Sequence, residues 1–303
     1  MIRASIDLGT NTCLLLVVDW DAQAQVMTRV LRDDAQVVRL GEGVDQNRRL
    51  QPAAMDRVKR CLGDYAQKVE SLGIRPQDVV CVATSQARDA ENAAEFFQRL
   101  RTDLGFVFET ISGETEARLT FQGALLPGMR METSVVVDIG GGSTELISAS
   151  RAQSVDLGSV RFTERYLHSD PVTDAEFWAC QEAIDQTLES FLKWRSSLSP
   201  QCALVGVAGT VTTLAAWHLD LAQFDAQTVD GCVLSRGDIH RMVEELKWRT
   251  VAERCALPGM EPLRADVILA GALILWRVLE VLQFPELVVS TRGLRYGALR
   301  GLS

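Results

Sequence analysis

The sequence predicts an α/β protein made of two related domains, and three observations carry that prediction. Short apolar runs ending in glycine and hydroxyl residues alternate with longer segments of helical periodicity, the order in which strands and helices follow one another in an α/β fold. A strand–turn–strand pattern at Asp7, IDLGTNTCLLLVV, returns 131 residues later at Asp138 as VDIGGGSTELIS. The length, 303 residues, exceeds the usual size of one domain. The segment LLPGMRMET separates a helix from the second motif and places the boundary near 123–133, giving domains 1–125 and 126–303, with the last few residues free to pack back on the first domain.

The elements follow in order. Residues 4–20, ASIDLGTNTCLLLVVDW, read as strand, small-polar turn, strand, and a third strand follows the turn Asp19–Ala24. Met55, Val58, Leu62, Tyr65, Val69 and Leu72 recur at helical spacing between Pro52, suited to a first helical position, and Gly73, suited to a stop. VVCVATS (79–85) is a buried strand, DAENAAEFFQRLRTDLG (89–105) a helix starting at Asp89, FVFETIS (106–112) a strand, and Glu114–Leu125 a helix. After the second hairpin, Ala149–Gln153 turns into a further strand. A capping box of Thr173 and Glu176 opens a helix to Leu198. ALVGVAG (203–209) is a strand running into the helical TVTTLAAWHL; Ile239–Ala256 and Arg264–Leu282 are helices; LVVSTRGLRYGALRG (287–301) is strand, glycine turn and short tail.

Composition sets limits. A net charge of −9 argues against nonspecific binding of nucleic acid or a membrane surface, and an anionic substrate then needs arginines gathered locally. The seven cysteines are dispersed without a CxxC pair, which excludes a zinc knuckle and fits a reducing, cytoplasmic setting. The longest apolar stretch, VILAGALILW (267–276), is too short to span a bilayer and reads as a core helix.

Three strand ends terminate in glycine with hydroxyls: Gly9, Thr10, Asn11 and Thr12; Gly140, Gly141, Gly142, Ser143 and Thr144; and Gly209 with Thr210. Consecutive N–H groups and hydroxyls in such turns form nests for phosphate oxygens, at the strand ends where open α/β sheets bind ligands. Asp7 and Asp138 precede two of these loops, and Glu145 lies across the turn from Asp138. A carboxylate beside a phosphate nest is repulsive unless a cation intervenes, and Mg2+, held by one or two carboxylates with phosphate and water, resolves the conflict. The pattern is neither GxxxxGK[ST] nor GxGxxG.

DLGTNT at 7–12 and DIGGGSTE at 138–145 resemble the two phosphate loops of the acetate and sugar kinase, chaperone and actin superfamily. VATSQAR (82–88), ISGETEARLTFQGAL (111–125), VDLGSVRFTERY (155–166), GVAGTVTTLAA (206–216), RADVILAGALIL (264–275) and RGLRYGAL (292–299) are similar to segments of the exopolyphosphatase and guanosine pentaphosphate phosphohydrolase family, in order and along the whole chain. The resemblance implies two actin-like (ribonuclease H-like) domains flanking a cleft, and Mg2+-dependent release of terminal orthophosphate from inorganic polyphosphate by water attack. Guanosine pentaphosphate or another nucleoside polyphosphate is the alternative substrate; a polyphosphate- or alarmone-binding module without activity and a small-molecule kinase are further alternatives. Glu116 takes the place of the family's catalytic glutamate, Arg88 of its phosphate-contacting arginine, and Asp138 and Glu145 of its metal-binding acids; the position of Asp7 before the first loop makes it a third metal candidate. A homodimer is carried over in the same way. The chain departs from the family at Thr115, where SGxEEA has a glutamate, and at Tyr296, where RGLREG has an acid. It lacks the further helical region of long members, from which shorter substrates are expected. Arg118, Arg161, Arg165, Arg264, Arg292 and Arg295 are candidates for a polyanion path.

Overall fold

The computed structural model describes residues 1–24, 26–199 and 201–300. The chain divides into two compact units: Met1–Gly123 with the stretch from Leu294 onward, and Ala124–Gly293. The division falls inside the last turn of a helix, where the sequence reading places it at 125/126, and the C-terminal stretch belongs to the first unit.

Unit 1 is a five-stranded sheet in the order β3-β2-β1-β4-β5, from β1 (Ile2–Leu8), β2 (Thr12–Asp21), β3 (Val26–Val37), β4 (Val80–Ala83) and β5 (Phe108–Thr110). The first three strands are antiparallel, and β4 and β5 run parallel to β1. Its helices are α1 (Val44–Asn47), α2 (Pro52–Ser71), α3 (Ser85–Asp89), α4 (Ala93–Leu104), α5 (Gly113–Ala124) and, from the end of the chain, α14 (Leu294–Ala298). The apolar run of β2 is continuous because both sheet faces are covered. Cys13, Leu15 and Val17 enter a core with Val58, Leu62 and Tyr65 of α2, whereas Leu16, Val18 and Trp20 pack against Leu299. On β1 the same parity sends Ala4, Ile6 and Leu8 to the α2 side and leaves Ser5 and Asp7 on the other.

Unit 2 holds a six-stranded sheet, β10-β11-β9-β6-β7-β8, from β6 (Ser134–Ile139), β7 (Thr144–Ser148), β8 (Ala152–Val155), β9 (Ala203–Val207), β10 (Val233–Ser235) and β11 (Glu286–Val289). Read from β8, its first five strands repeat the order and directions of unit 1: antiparallel β8-β7-β6, then parallel β9 and β11. This is the ribonuclease H-like order of actin-like domains, built twice. The helices are α6 (Ser159–Tyr166), α7 (Asp174–Leu188), α8 (Leu192–Arg195), α9 (Ala208–His218), α10 (Ala226–Val229), α11 (Arg236–Lys247), α12 (Val251–Cys255) and α13 (Ile268–Leu282). The apolar stretch 267–276 lies largely in α13, which is buried along its length in the core with α7, α9 and α11. Among the described residues no helix is long and apolar enough to cross a membrane.

Several boundaries differ from the sequence reading. The helix expected from Asp89 starts at Ala93, because Asp89 closes α3 and the Asn92 amide instead grips both backbone groups of Leu50. The Thr173–Glu176 capping box forms, but the helix ends at Leu188 and continues through a 3-10 turn into α8. The helix expected over 239–256 is two, since a second capping box, Thr250 with Glu253, restarts the chain. The helix expected from Arg264 begins at Ile268 after a 3-10 turn, and the tail expected after the last glycine turn contains α14.

Candidate active site

In unit 1 the parity of β1 places Asp7 on the sheet face that also carries α5 and α14. α5 begins after Ser112, and its first turn brings Glu116 inward: the side chain is 14% exposed. Arg88, at the end of α3, donates from Nη1 to Glu116 Oε2 at 2.8 Å and to the Ile111 carbonyl at 2.9 Å. Its Nε and Nη2 have no acceptor among the described residues, so part of the guanidinium fork stays available. Burial raises the pKa of Glu116, while Arg88 and a hydrogen bond from Thr84 act to lower it. Asp7 is pushed up from 3.8 to about 7 by burial and then by the charge of Glu116, with Arg295 opposing. Two buried acids therefore lie within reach of one another's charge, with Arg88 acting on Glu116 and Arg295 on Asp7. That is an arrangement able to hold a proton near neutrality.

The two hairpin turns are built alike. Gly9 N–H donates to the Thr12 carbonyl at 2.9 Å, and Gly140 N–H to the Ser143 carbonyl at 3.0 Å. In unit 1 the loop carbonyls are covered from one side: Gly41 N–H donates to Thr10 O, and Val38 and Arg39 N–H donate to Asn11 O. In unit 2 Ser159 N–H donates to Gly140 O, and Val160 and Arg161 N–H donate to Gly141 O. With carbonyls engaged, the N–H groups of Thr10, Asn11, Gly141 and Gly142 form no hydrogen bond to protein among the described residues. These are the consecutive free donors that an anion nest needs. Thr10 Oγ1 is 3.0 Å from Ser85 Oγ, and the Asn11 Oδ1 atom is buried without a partner among the described residues.

A further glycine lies against the run. A Cβ on Gly158 would lie 2.2 Å from the Gly141 carbonyl oxygen and 2.4 Å from Gly142 N, so the chain's own backbone approaches the loop closely. Thr144 is turned inward: its hydroxyl donates to the Leu157 carbonyl, and the residue is fully buried. Thr210 also faces the interior, since a Cβ on Gly271 of α13 would meet its Oγ1 at 2.5 Å. Neither hydroxyl stands at the open edge expected of it, because strand and helix periodicity direct both into packed neighbours. Gly209, in the first turn of α9, lies beneath the Arg264 guanidinium, 1.6 Å from where its Cβ would be. β6 and β9 are parallel neighbours with Asp138 opposite Val207, which brings the loops at 140–143 and 208–210 to adjacent strand ends. Ala208 between them holds a left-handed φ of 70°.

Whether these residues suit a magnesium ion is a question of donors. Asp138 and Glu145 are direct cross-strand partners in the β6–β7 hairpin. Side chains so paired share a face with Cβ atoms about 4.5–5.5 Å apart. Ser154, opposite Glu145 on β8, donates to Glu145 Oε1 at 2.6 Å and orients it. Two adjacent carboxylates fit an ion that keeps phosphate and water in its remaining positions. They do not make a closed cage, and no group of three His, Cys, Asp or Glu is clustered among the described residues. Asp7 faces Leu14 across its hairpin, so unit 1 presents a single carboxylate there.

The arginines divide by role. Arg161 Nε donates to the Gly142 carbonyl at 2.8 Å and supports the loop itself. Arg292 pairs with Asp230, which also accepts from Thr291. Arg295 is bidentate to Asp33 at 2.8 and 2.9 Å. Arg118 and Arg165 are exposed. Thr84, Ser85, Ser154, Asp33 and Asp230 are supporting residues the sequence reading did not single out; each acts through a strand pairing or a loop contact that no local motif marks.

Residues 16–302 match the model of the Ppx/GppA phosphatase family. The chain is 37% identical over 282 residues to exopolyphosphatase 2 of Mycobacterium tuberculosis, covering 89% of this chain and 88% of that protein. A crystal structure of an exopolyphosphatase-like protein superposes with a TM-score of 0.88 at 32% identity, covering 99% of this chain and 96% of that one. The Aquifex aeolicus PPX-GPPA enzyme does so at 0.79 and 31% identity, covering 99% of both chains. With the doubled fold and the paired glycine turns in place, the chain belongs to the Ppx/GppA phosphatase family.

Proposed function

We propose that this phosphoanhydride hydrolase is an exopolyphosphatase that releases terminal orthophosphate from inorganic polyphosphate with Mg2+, acting best on short chains. The supporting observation is the buried Glu116, with a raised pKa, held by Arg88 at 2.8 Å while the rest of that guanidinium fork has no acceptor among the described residues. Phosphoryl transfer asks little covalent chemistry of a protein; it needs an oriented nucleophile and charge compensation. Glu116 accepts a proton from water, the hydroxyl oxygen bonds the terminal phosphorus, and the bridging P–O bond breaks. Its electron pair leaves on the shortened chain. A base with a raised pKa is better matched to that proton transfer near neutral pH. The free N–H groups of Arg88 suit the planar spread of phosphoryl oxygens. Within each unit the free N–H groups, those of Thr10 and Asn11 in the first and of Gly141 and Gly142 in the second, suit phosphate oxygens. Asp138 and Glu145 would hold Mg2+, which supplies charge neutralisation to the phosphate chain. The dispersed cysteines fit a cytoplasmic setting for this activity.

Phosphate release measured over polyphosphates of defined length and guanosine pentaphosphate, with and without Mg2+, tests this reading. The expected result is turnover of short polyphosphate that requires Mg2+. Faster release from guanosine pentaphosphate would move the substrate to the nucleoside polyphosphates, and release undiminished by chelation would remove the metal.

A further inference from the structure

We propose that the C-terminal segment Leu294–Leu299 is a positioning element for Glu116, acting through Gly297 and anchored by Arg295 and Tyr296 on Asp33. The proposal rests on the reading of Glu116 as the base. A Cβ on Gly297 would lie 2.0 Å from the carbonyl oxygen of Leu119, 2.7 Å from its carbon and 3.0 Å from its Cα. α14 thus rests directly on the backbone of α5, and Leu119 lies one turn beyond Glu116 on that helix. Leu294 closes the same contact from the side, packing with Leu119, Ile111 and Val82. Ile111 is also the residue whose carbonyl accepts from Arg88.

α14 itself is tied firmly to the sheet. Ser5 Oγ donates to the Arg295 carbonyl at 2.7 Å, and Arg3 Nη1 donates to the Leu299 carbonyl at 2.9 Å. The Arg295 guanidinium donates two bonds to Asp33 on β3, and Tyr296 Oη donates to Asp33 Oδ2 at 2.8 Å. Arg295 and Asp33 are both largely buried, at 9% and 14% side-chain exposure, so the anchor is a desolvated, planar pair. Tyr296, standing where the family has an acid, adds its hydroxyl to Asp33 without a second negative charge. Such anchoring makes α14 the fixed partner and α5 the element that yields. The distance between them then sets where the Glu116 carboxylate stands against Arg88 and Asp7. A shift of roughly 1 Å at a reacting group costs about 10²-fold in rate.

The test is a cycle of G297A and E116Q, singly and together. Turnover is followed as phosphate released from inorganic tripolyphosphate with Mg2+, and folding by thermal melting. The expected result is a folded G297A whose kcat falls about 10- to 100-fold while KM stays within about threefold. The double variant should then be no slower than E116Q alone, because both changes strike one group. Val58→Ala, on α2 in the opposite core, serves as a control for destabilisation alone and keeps wild-type kcat. Wild-type kcat in folded G297A overturns the proposal, as does a double variant slowed by the product of the two single effects. If G297A does not fold, Tyr296→Phe carries the same cycle. A several-fold loss of kcat that disappears in the E116Q background supports the anchor, and unchanged kcat overturns it. Wild-type turnover in E116Q itself would instead remove the base on which the proposal depends.

Discussion

Leu14 in unit 1 and Glu145 in unit 2 occupy equivalent places, each opposite the aspartate one residue before the end of the first strand of its hairpin. The turns beside them close with the same hydrogen bond, and in each turn two carbonyls accept from backbone N–H groups of a later segment. Yet unit 2 presents two carboxylates side by side, and unit 1 presents one carboxylate against a leucine. The second acid of unit 1, Glu116, comes from a different element and arrives paired with Arg88. One scaffold copied twice therefore carries different acids at its two turns. A carboxylate pair within a hairpin suits a cation; an acid on a helix beside a guanidinium suits a proton and a phosphoryl group. The difference lies in single side chains, because the turn and its N–H donors are backbone features that duplication preserves.

That difference is open to direct attack, beginning where the effect is largest. Glu116→Gln should lower kcat by about 10²–10⁴-fold while the protein stays folded, measured by phosphate release and circular dichroism. In unit 2, Asp138→Asn with Glu145→Gln should abolish the response to Mg2+ across the accessible range. Ser154→Ala, which removes the hydroxyl orienting Glu145, should raise half-saturating Mg2+ by about 10-fold. Leu14→Ala, at the equivalent place in unit 1, should leave the Mg2+ requirement unchanged, and a shift there would break the comparison.

Backbone contacts give the next tier. Gly158→Ala should destabilise by about 1–3 kcal/mol or more in denaturant unfolding, because its Cβ would strike the Gly141 backbone. Asp7 separates the hairpins by pH. Its folded pKa of about 7 lies above the ordinary 3.8, so between those values the folded state holds the extra proton. The resulting contribution to stability is complete below about pH 4 and is lost as pH rises through 7, with a slope of at most about 1.4 kcal/mol per pH unit. Asp7→Asn should flatten that slope in ligand-free protein, seen by comparing melting at pH 5 and pH 8. The smallest effect is expected at Ala208, whose left-handed φ of 70° makes Ala208→Gly stabilising by about 0.5–1 kcal/mol.

Much of this was legible from residues alone, for identifiable reasons. The internal copy at 131 residues is readable because a hairpin turn needs its glycine and small polar residues in consecutive positions, and local requirements leave local marks. Pro52 and the Thr173–Glu176 capping box mark helix starts for the same reason. Asp89 misled because a short helix, α3, intervenes and uses that residue at its end. Thr144 and Thr210 look like loop hydroxyls in the sequence, but their directions depend on what packs against them, Leu157 and Gly271, both distant along the chain.

By itself the sequence determined the doubled α/β pattern, the glycine turns, and the acids placed at strand ends, since periodicity and turn chemistry act over a few residues. Only the tertiary structure decided which groups meet. It joined Glu116 to Arg88 across 28 residues and Ser154 to Glu145 across a strand pair. It also brought Arg295 back to Asp33 over 262 residues. Such meetings follow from sheet register and helix packing, which sum many weak contacts across the whole unit and leave no signature at any one position.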